Sequence, residues 1–159
     1  MYSSDDLKEW EYLGSTGFWG ECPDLSAYET DDGLKYVLII SPEDKSQSHK
    51  FNGTTRKDAF YPAEYYVVGS LDENGLFVAE GDFTRLSYGI DSYAMQTFNN
   101  VPDGKVYGIS WSASWKSVGQ YEAVRENYNG GMTIACELKL VKNDEGDYVL
   151  ERIPVEAFD

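Results

Sequence analysis

The chain is poor in the residues that metal and redox chemistry need. Its 159 residues include one histidine, His49, and two cysteines, Cys22 and Cys136, with no Cys-x-x-Cys. A zinc site or a histidine-dependent triad therefore lacks material, and two cysteines make no disulfide framework. No metal and no cofactor is expected. Basic residues are scarce as well. Lys plus Arg is 13 against 28 for Asp plus Glu, a formal net charge of −15. That balance repels nucleic-acid phosphates and anionic membrane surfaces, so neither is expected as a partner. Long apolar runs are missing too. The strongest is Tyr36-Val37-Leu38-Ile39-Ile40, far short of the ~20 residues of a membrane helix. The opening residues, Met1 to Asp6, hold neither a basic region nor an apolar stretch. No signal peptide is read there, and a cytoplasmic location is expected.

What the chain does have is apolar and aromatic material. Hydrophobic residues make up 42% and aromatics 15%, with 13 tyrosines. That suffices for a packed core, and the length fits one domain. A neutral ligand, such as a sugar, stays compatible with the acidic balance. Aromatic and β-branched clusters recur at Trp10 to Leu13, Tyr36 to Ile40, Tyr65 to Val68, Leu76 to Val78, Val106 to Trp111, Met132 to Leu140 and Tyr148 to Leu150. Turn pairs such as Asp32-Gly33, Asn52-Gly53, Asn74-Gly75, Asp103-Gly104 and Glu145-Gly146 separate them, which is hairpin chemistry. No stretch keeps a helical apolar period, so the chain reads as all-β. Ser41 to Asp58 is polar and reads as an exposed loop.

A faint internal repeat adds to this. Eleven residues separate Cys22 from Gly33 and Tyr93 from Gly104, and the two copies stand 71 residues apart. Each copy leads into an apolar strand, from Tyr36 and from Val106. Repeated sheet units point to a propeller rather than a sandwich.

The segment Gly20-Glu21-Cys22-Pro23-Asp24-Leu25 resembles the Glu-Cys-Pro-Asp motif of glycoside hydrolase family 32, the β-fructofuranosidases (invertases, sucrose-6-phosphate hydrolases, levanases and inulinases). Its surroundings agree in order and spacing. Ser3 to Tyr12 resembles the family's Ser-x-Asp-Leu-x-x-Trp segment, and Tyr65-Tyr66-Val67-Val68-Gly69 its Tyr-x-x-Gly strand. Leu86 to Phe98 resembles its Asp-Tyr-Gly-x-Asp-x-Tyr-Ala-x-Gln-Thr segment. Gly108-Ile109-Ser110-Trp111 falls at its Gly-Trp strand end, and Gly131 to Leu138 at its Thr-Leu-Pro-Arg-Glu-Leu segment.

Several family features have no counterpart. The nucleophile's Asn-Asp-Pro-Asn-Gly and the transition-state stabiliser's Arg-Asp-Pro do not occur, and no proline follows an aspartate. Ser87 stands for the usual Asp, and Ala135-Cys136 for Pro-Arg. The resemblance thus implies an all-β, partial five-bladed propeller of about three blades. Residues 1–159 would be a single unit, the second half of the catalytic propeller. The nucleophile-bearing half and the C-terminal β-sandwich would be absent.

Retaining glycoside hydrolysis needs two carboxyls about 5–5.5 Å apart, one a nucleophile and one an acid/base. By resemblance Glu21 is the acid/base, and this chain offers no nucleophile. Cys22 and Asp24 would shape its surroundings. Asp91 and Tyr93 would border a sugar hydroxyl, and Trp111 would wall the fructosyl ring, with Trp19 a weaker aromatic of that kind. The partner is a fructose-containing carbohydrate, whether sucrose, sucrose 6-phosphate or a fructan. Composition alone gives blander readings: a solvated acid for Glu21, a turn for Asp91, core aromatics for Tyr93 and Trp111. Cys22 and Cys136 read as separate small buried thiols. His49-Lys50 with Arg56-Lys57 is the only basic cluster, a phosphate site or a solvated loop. The expectation is part of a retaining β-fructosidase, inactive by itself. The alternative is a non-catalytic carbohydrate-binding or self-assembling β module, forming a homo-oligomer through exposed sheet edges.

Overall fold

The computed structural model describes residues 1–42, 50–51, 54–55, 63–89, 91–115, 117–119 and 130–156. Apart from short 3₁₀ turns at residues 118–119 and 156, the regular structure in these residues is antiparallel β. Two ribbons, β1 (Tyr2–Ser3) with β2 (Glu11–Tyr12) and β5 (Lys50–Phe51) with β6 (Thr54–Thr55), stand apart from two larger sheets. The first sheet contains β3 (Glu21–Thr30), β4 (Gly33–Ser41), β7 (Tyr65–Leu71) and β8 (Phe77–Ala79), in that order, with β9 (Thr84–Arg85) also on β7. The second runs β10 (Tyr93–Thr97), β11 (Tyr107–Trp111), β12 (Cys136–Lys142) and β13 (Tyr148–Pro154). Strands lie in chain order in both sheets, as hairpin-linked units require. Of the blades expected from sequence, two are present as full sheets, and β1–β2 supplies one further ribbon.

The run Tyr36 to Ile40 is apolar on both faces because β4 is central. Val37 and Ile39 join Tyr66, Leu86, Met95, Leu138 and Leu150 in a buried cluster that draws on both sheets. Leu38 and Ile40 point the other way, into a cluster with Tyr65, Val67, Phe77 and Phe83 that Met1 and Phe18 flank. Burying one such aliphatic side chain contributes about 1.5–3 kcal/mol. Gly69, in the Tyr-x-x-Gly strand, is fixed by contact: a Cβ there would lie 2.2 Å from the Val78 carbonyl oxygen. No side chain larger than hydrogen lets β7 and β8 approach so closely.

β3 and β10 were not among the apolar clusters of the sequence. Both are edge strands, each paired on one side only, and their polar residues reflect that position. Each also carries a bulge near its start. Glu21 pairs with Ser41 and Asp24 with Ile39, so Cys22 and Pro23 face the single Ile40. Tyr93 pairs with Trp111 and Gln96 with Ile109, so Ala94 and Met95 face Ser110. The first residue of each bulge is left-handed, Cys22 at φ 49° and Ala94 at φ 59°. A bulge on an edge strand also explains how Pro23 is tolerated, since no ladder needs its missing N–H.

Other expectations meet the structure unevenly. Ser41, placed by sequence in an exposed loop, ends β4 and is fully buried. Of the rest of that segment, β5 and β6 form a ribbon, and residues 43–49, 52–53 and 56–58, with His49, the Asn52-Gly53 turn, Arg56 and Lys57, lie outside the described residues. Cys22 and Cys136 are both free, but Cys22 is exposed rather than buried because the bulge turns it outward; Cys136 is buried.

Candidate active site

The two bulges bring the starts of β3 and β10 together. Tyr93 is only 1% exposed, and its hydroxyl lies 2.8 Å from Glu21 Oε2 and 3.0 Å from the Ser41 carbonyl oxygen. Ser41 Oγ accepts from the Ala94 N–H at 3.0 Å. Both atoms of Ser41 thus hold the β10 bulge against the end of β4. Glu21 itself is exposed, as a residue that exchanges protons with a ligand needs to be.

A second donor reaches the same carboxylate oxygen. Trp115 Nε1 donates to Glu21 Oε2 at 3.3 Å. Its ring stays 58% exposed and meets Trp111 edge-on, with centroids 5.3 Å apart and planes at 65°. Trp111 is braced by Gly130: a Cβ there would lie 2.7 Å from the indole nitrogen, and φ is +81°. Sequence reasoning missed Trp115 because its turn, Ser112 to Ser117, has no periodicity. The available signal was an aromatic residue among small polar ones, just past a strand end.

Asp91 holds that turn. Ser117 Oγ donates to Asp91 Oδ1, and the Ser114 N–H donates back to Ser117 Oγ at 3.0 Å. The Val118 N–H closes onto the Ser114 carbonyl oxygen at 2.9 Å. Asp91 therefore supports the Trp115 platform.

The remaining sequence candidates sit around this centre. Asp24 lies past the bulge and directs its carboxylate to Thr97, accepting from the N–H at 2.7 Å and the hydroxyl at 2.9 Å. It joins the two sheets there. The Cys22 carbonyl accepts from Gln96 Nε2 at 3.2 Å. Partial loss of solvent around the sulfur first, and the charge of Glu21 second, push the Cys22 thiol above its usual 9.0, so it stays neutral at physiological pH. Trp19 is 68% exposed, and among the described residues no hydrogen bond or ring contact ties it to Glu21. The structure thus unites Glu21, Tyr93, Trp111 and Asp91 with the unforeseen Trp115, Ser41 and Ser117.

The sequence and the fold are shared with known proteins. Residues 1–152 match the family described as glycosyl hydrolases family 32 N-terminal domain. The chain belongs to that family, whose members are glycosidases of the β-fructofuranosidase type. A sucrose-6-phosphate hydrolase of Streptococcus mutans is 31% identical over 161 residues, covering 96% of this chain and 30% of the relative. The β-fructofuranosidase of Schwanniomyces occidentalis, solved with fructosyl-erythritol, is 27% identical with a TM-score of 0.70, covering 97% of this chain and 30% of that one. The exo-inulinase of Aspergillus awamori shares the fold, with a TM-score of 0.73 at 21% identity, covering 98% and 31%. These solved neighbours are five-bladed β-propeller enzymes. The chain spans about 30% of the length of the relatives it matches. The match identifies the family's N-terminal domain and does not single out the C-terminal half of the propeller, where the resemblance placed the chain.

Proposed function

We propose that this chain supplies the acid/base part of a retaining β-fructosidase site, with Glu21 as the acid/base. The observation that carries this reading is the asymmetry at Glu21. Both donors, Tyr93 and Trp115, fall on Oε2. Oε1 accepts no hydrogen bond among the described residues and is left as the oxygen that carries the proton. In the first step Oε1–H protonates the leaving oxygen of a β-fructoside. In the second the carboxylate removes a proton from the water that releases the fructosyl group.

Tyr93 serves both protonation states. It has one proton and two acceptors within 3.0 Å. With Glu21 ionised, that proton supports Oε2; with Glu21 protonated, it turns to the Ser41 carbonyl oxygen. In either state the buried phenolic proton keeps an acceptor. Trp111 and Trp115 supply an apolar wall for a sugar face, while Cys22 and Asp24 hold the bulge that aims Glu21.

The covalent step needs a second carboxylate. The chain has neither Asn-Asp-Pro nor Arg-Asp-Pro, and the motifs it does carry follow the order of the family propeller's second half. We therefore place it there and expect the isolated chain to bind sugar without turnover. The substrate is a neutral or singly phosphorylated fructoside: sucrose, its 6-phosphate or a fructan. No residue of the proposed site calls for a cofactor.

Sucrose and levan are incubated with the purified chain, and the Trp115 indole signal is followed by NMR as each is added. The expected result is a saturable shift with no released glucose or fructose. Turnover that disappears in Glu21→Gln would overturn the assignment of inactivity. An indole signal blind to every fructoside would overturn the binding site.

A second reading, the self-assembling module, is favoured by a different surface. An apolar groove of about 410 Å³ is lined by Met1, Tyr12, Phe18, Leu25, Leu38 and Phe77 among others. Tyr2, Trp10 and Tyr12 are exposed nearby in the chain. A homo-oligomer covering this face would show in sedimentation, and a concentration-independent monomer excludes it.

A further inference from the structure

Glu64 is the one fully buried carboxylate among the described residues, at 0% exposure. It precedes β7 and sits where three elements meet. Its Oε2 accepts from Ser92 Oγ at 2.9 Å and lies 3.5 Å from Arg152 Nη1 on β13. Its main-chain oxygen accepts from the Leu86 N–H at 2.8 Å. Its Oε1 is buried with no hydrogen-bond partner. A single long contact to a guanidinium and one unmatched oxygen make this a costly way to fill a core position. An apolar residue would pack there without the penalty.

The position of Ser92 accounts for the carboxylate. Ser92 lies between Asp91 and Tyr93, and both donors to Glu21 depend on those neighbours. Tyr93 reaches Glu21 Oε2 directly. Trp115 reaches it from the turn that Ser117 ties to Asp91. Both paths diverge from one residue, and Glu64 holds its side chain from the opposite sheet.

We propose that Glu64 is a positioning residue. By fixing Ser92 it sets Tyr93 and Trp115 together against Oε2 of Glu21, and so decides which oxygen is left for proton transfer. This rests on the reading of Glu21 as the acid/base, but the coupling itself is geometric. Packing alone predicts a loss of stability when Glu64 is changed. Positioning predicts, in addition, a specific change at Glu21.

The experiment reads the Trp115 indole N–H resonance in the full 159-residue chain. Glu21→Ala first marks where that resonance falls without its acceptor. Ser92→Ala and Glu64→Gln are expected to move it toward that mark, and Ser92→Thr, which restores a hydroxyl, to return it. Leu150→Ala, a core change in the same inter-sheet cluster, supplies a control that lowers stability and leaves the indole in place. Should Glu64→Gln fail to fold, Ser92→Ala decides, since it removes one small group. A wild-type indole position in folded Ser92→Ala overturns the proposal, as does an equal displacement in Leu150→Ala. Should a longer polypeptide hydrolyse fructosides undiminished with Glu21→Gln, the catalytic reading falls while this coupling stands, so the two failures are distinct.

Discussion

Glu21 and Tyr93 stand at the same place in two consecutive sheets, each the last residue before an edge-strand bulge, and their side chains meet at 2.8 Å across 72 residues of chain. The repeat is therefore more than a copied fold unit. It places one copy's carboxylate against the other copy's phenol. Further along the same strands Ser26 Oγ meets Thr97 Oγ1 at 3.4 Å, 71 residues apart. The first half of β3 thus runs against β10, and the candidate site is one end of that seam.

Removing the phenolic hydroxyl tests the seam at its most buried point. Tyr93→Phe takes a donor from both Glu21 and the Ser41 carbonyl. Because the Ser41 acceptor is buried, the expected loss is about 1–3 kcal/mol of unfolding free energy. Trp115→Phe removes the other donor from an exposed ring and should stay within about 0.5 kcal/mol of wild type. Urea unfolding of the two variants measures the contrast. Equal costs would mean that the Tyr93 hydroxyl is not shielded from water.

The left-handed bulge residue at Ala94 is a point of backbone strain, with φ at 59°. A left-handed L-residue costs roughly 1–2 kcal/mol, against about 0.5–1 kcal/mol for the added chain entropy of glycine. Ala94→Gly should therefore stabilise the chain by about 0.5–1 kcal/mol. A lower thermal midpoint in this variant would show that the Ala94 methyl makes contacts that outweigh the strain.

Those two bulges also show what sequence could and could not disclose. The run from Tyr36 to Ile40 announced a strand buried on both faces, and Glu-Cys-Pro-Asp pointed to Glu21, on which Tyr93 and Trp115 converge. Both signals are local. β3 itself went unread because it is a polar edge strand interrupted by Pro23, and such a strand has no apolar alternation to betray it. Trp115 went unread for a different reason. Its meaning comes from a turn that folds back over a strand 94 residues earlier, and no spacing rule connects the two. Asp24 shows the converse limit. Its place in the motif suggested that it shapes the surroundings of Glu21, and its carboxylate lies on Thr97 of the next sheet. Motif membership indicates that a residue belongs to the site's construction without distinguishing ligand contact from support.

The role of Asp24 as a tie between sheets is open to direct measurement. Asp24→Ala leaves the Thr97 N–H and hydroxyl without their acceptor in a partly buried seam. About 1–3 kcal/mol should be lost. Asp24→Asn keeps one carbonyl oxygen for the N–H and should recover roughly half of that, since a hydrogen bond to a charged group is about twice as strong as a neutral one. Chemical denaturation separates the two. An alanine variant as stable as wild type would exclude the tie.

The last prediction concerns acid and base limits of stability. Lys142, with Tyr148 next in importance, holds Asp32 below the usual 3.8. Lys35 likewise holds Glu80 below 4.5. Lys142 in turn is raised above 10.5, chiefly by its bond to Asp32. A carboxylate whose folded value is depressed binds more protons when unfolded. Its contribution is therefore present above the ordinary value and fades as pH falls through the depressed one. For a raised lysine the contribution is present below 10.5 and fades as pH rises past it. The Lys142 to Asp32 contact, at 2.6 Å, should thus act only between about pH 4 and pH 10.5. Comparing wild type with Asp32→Asn cancels the general repulsion of a chain with net charge −15. The stability difference should be flat at neutral pH, shrink toward zero at both limits, and diminish in high salt because both partners are solvent-facing. A difference that persisted below about pH 3 would assign the contribution of Asp32 to its hydrogen-bonded shape rather than its charge.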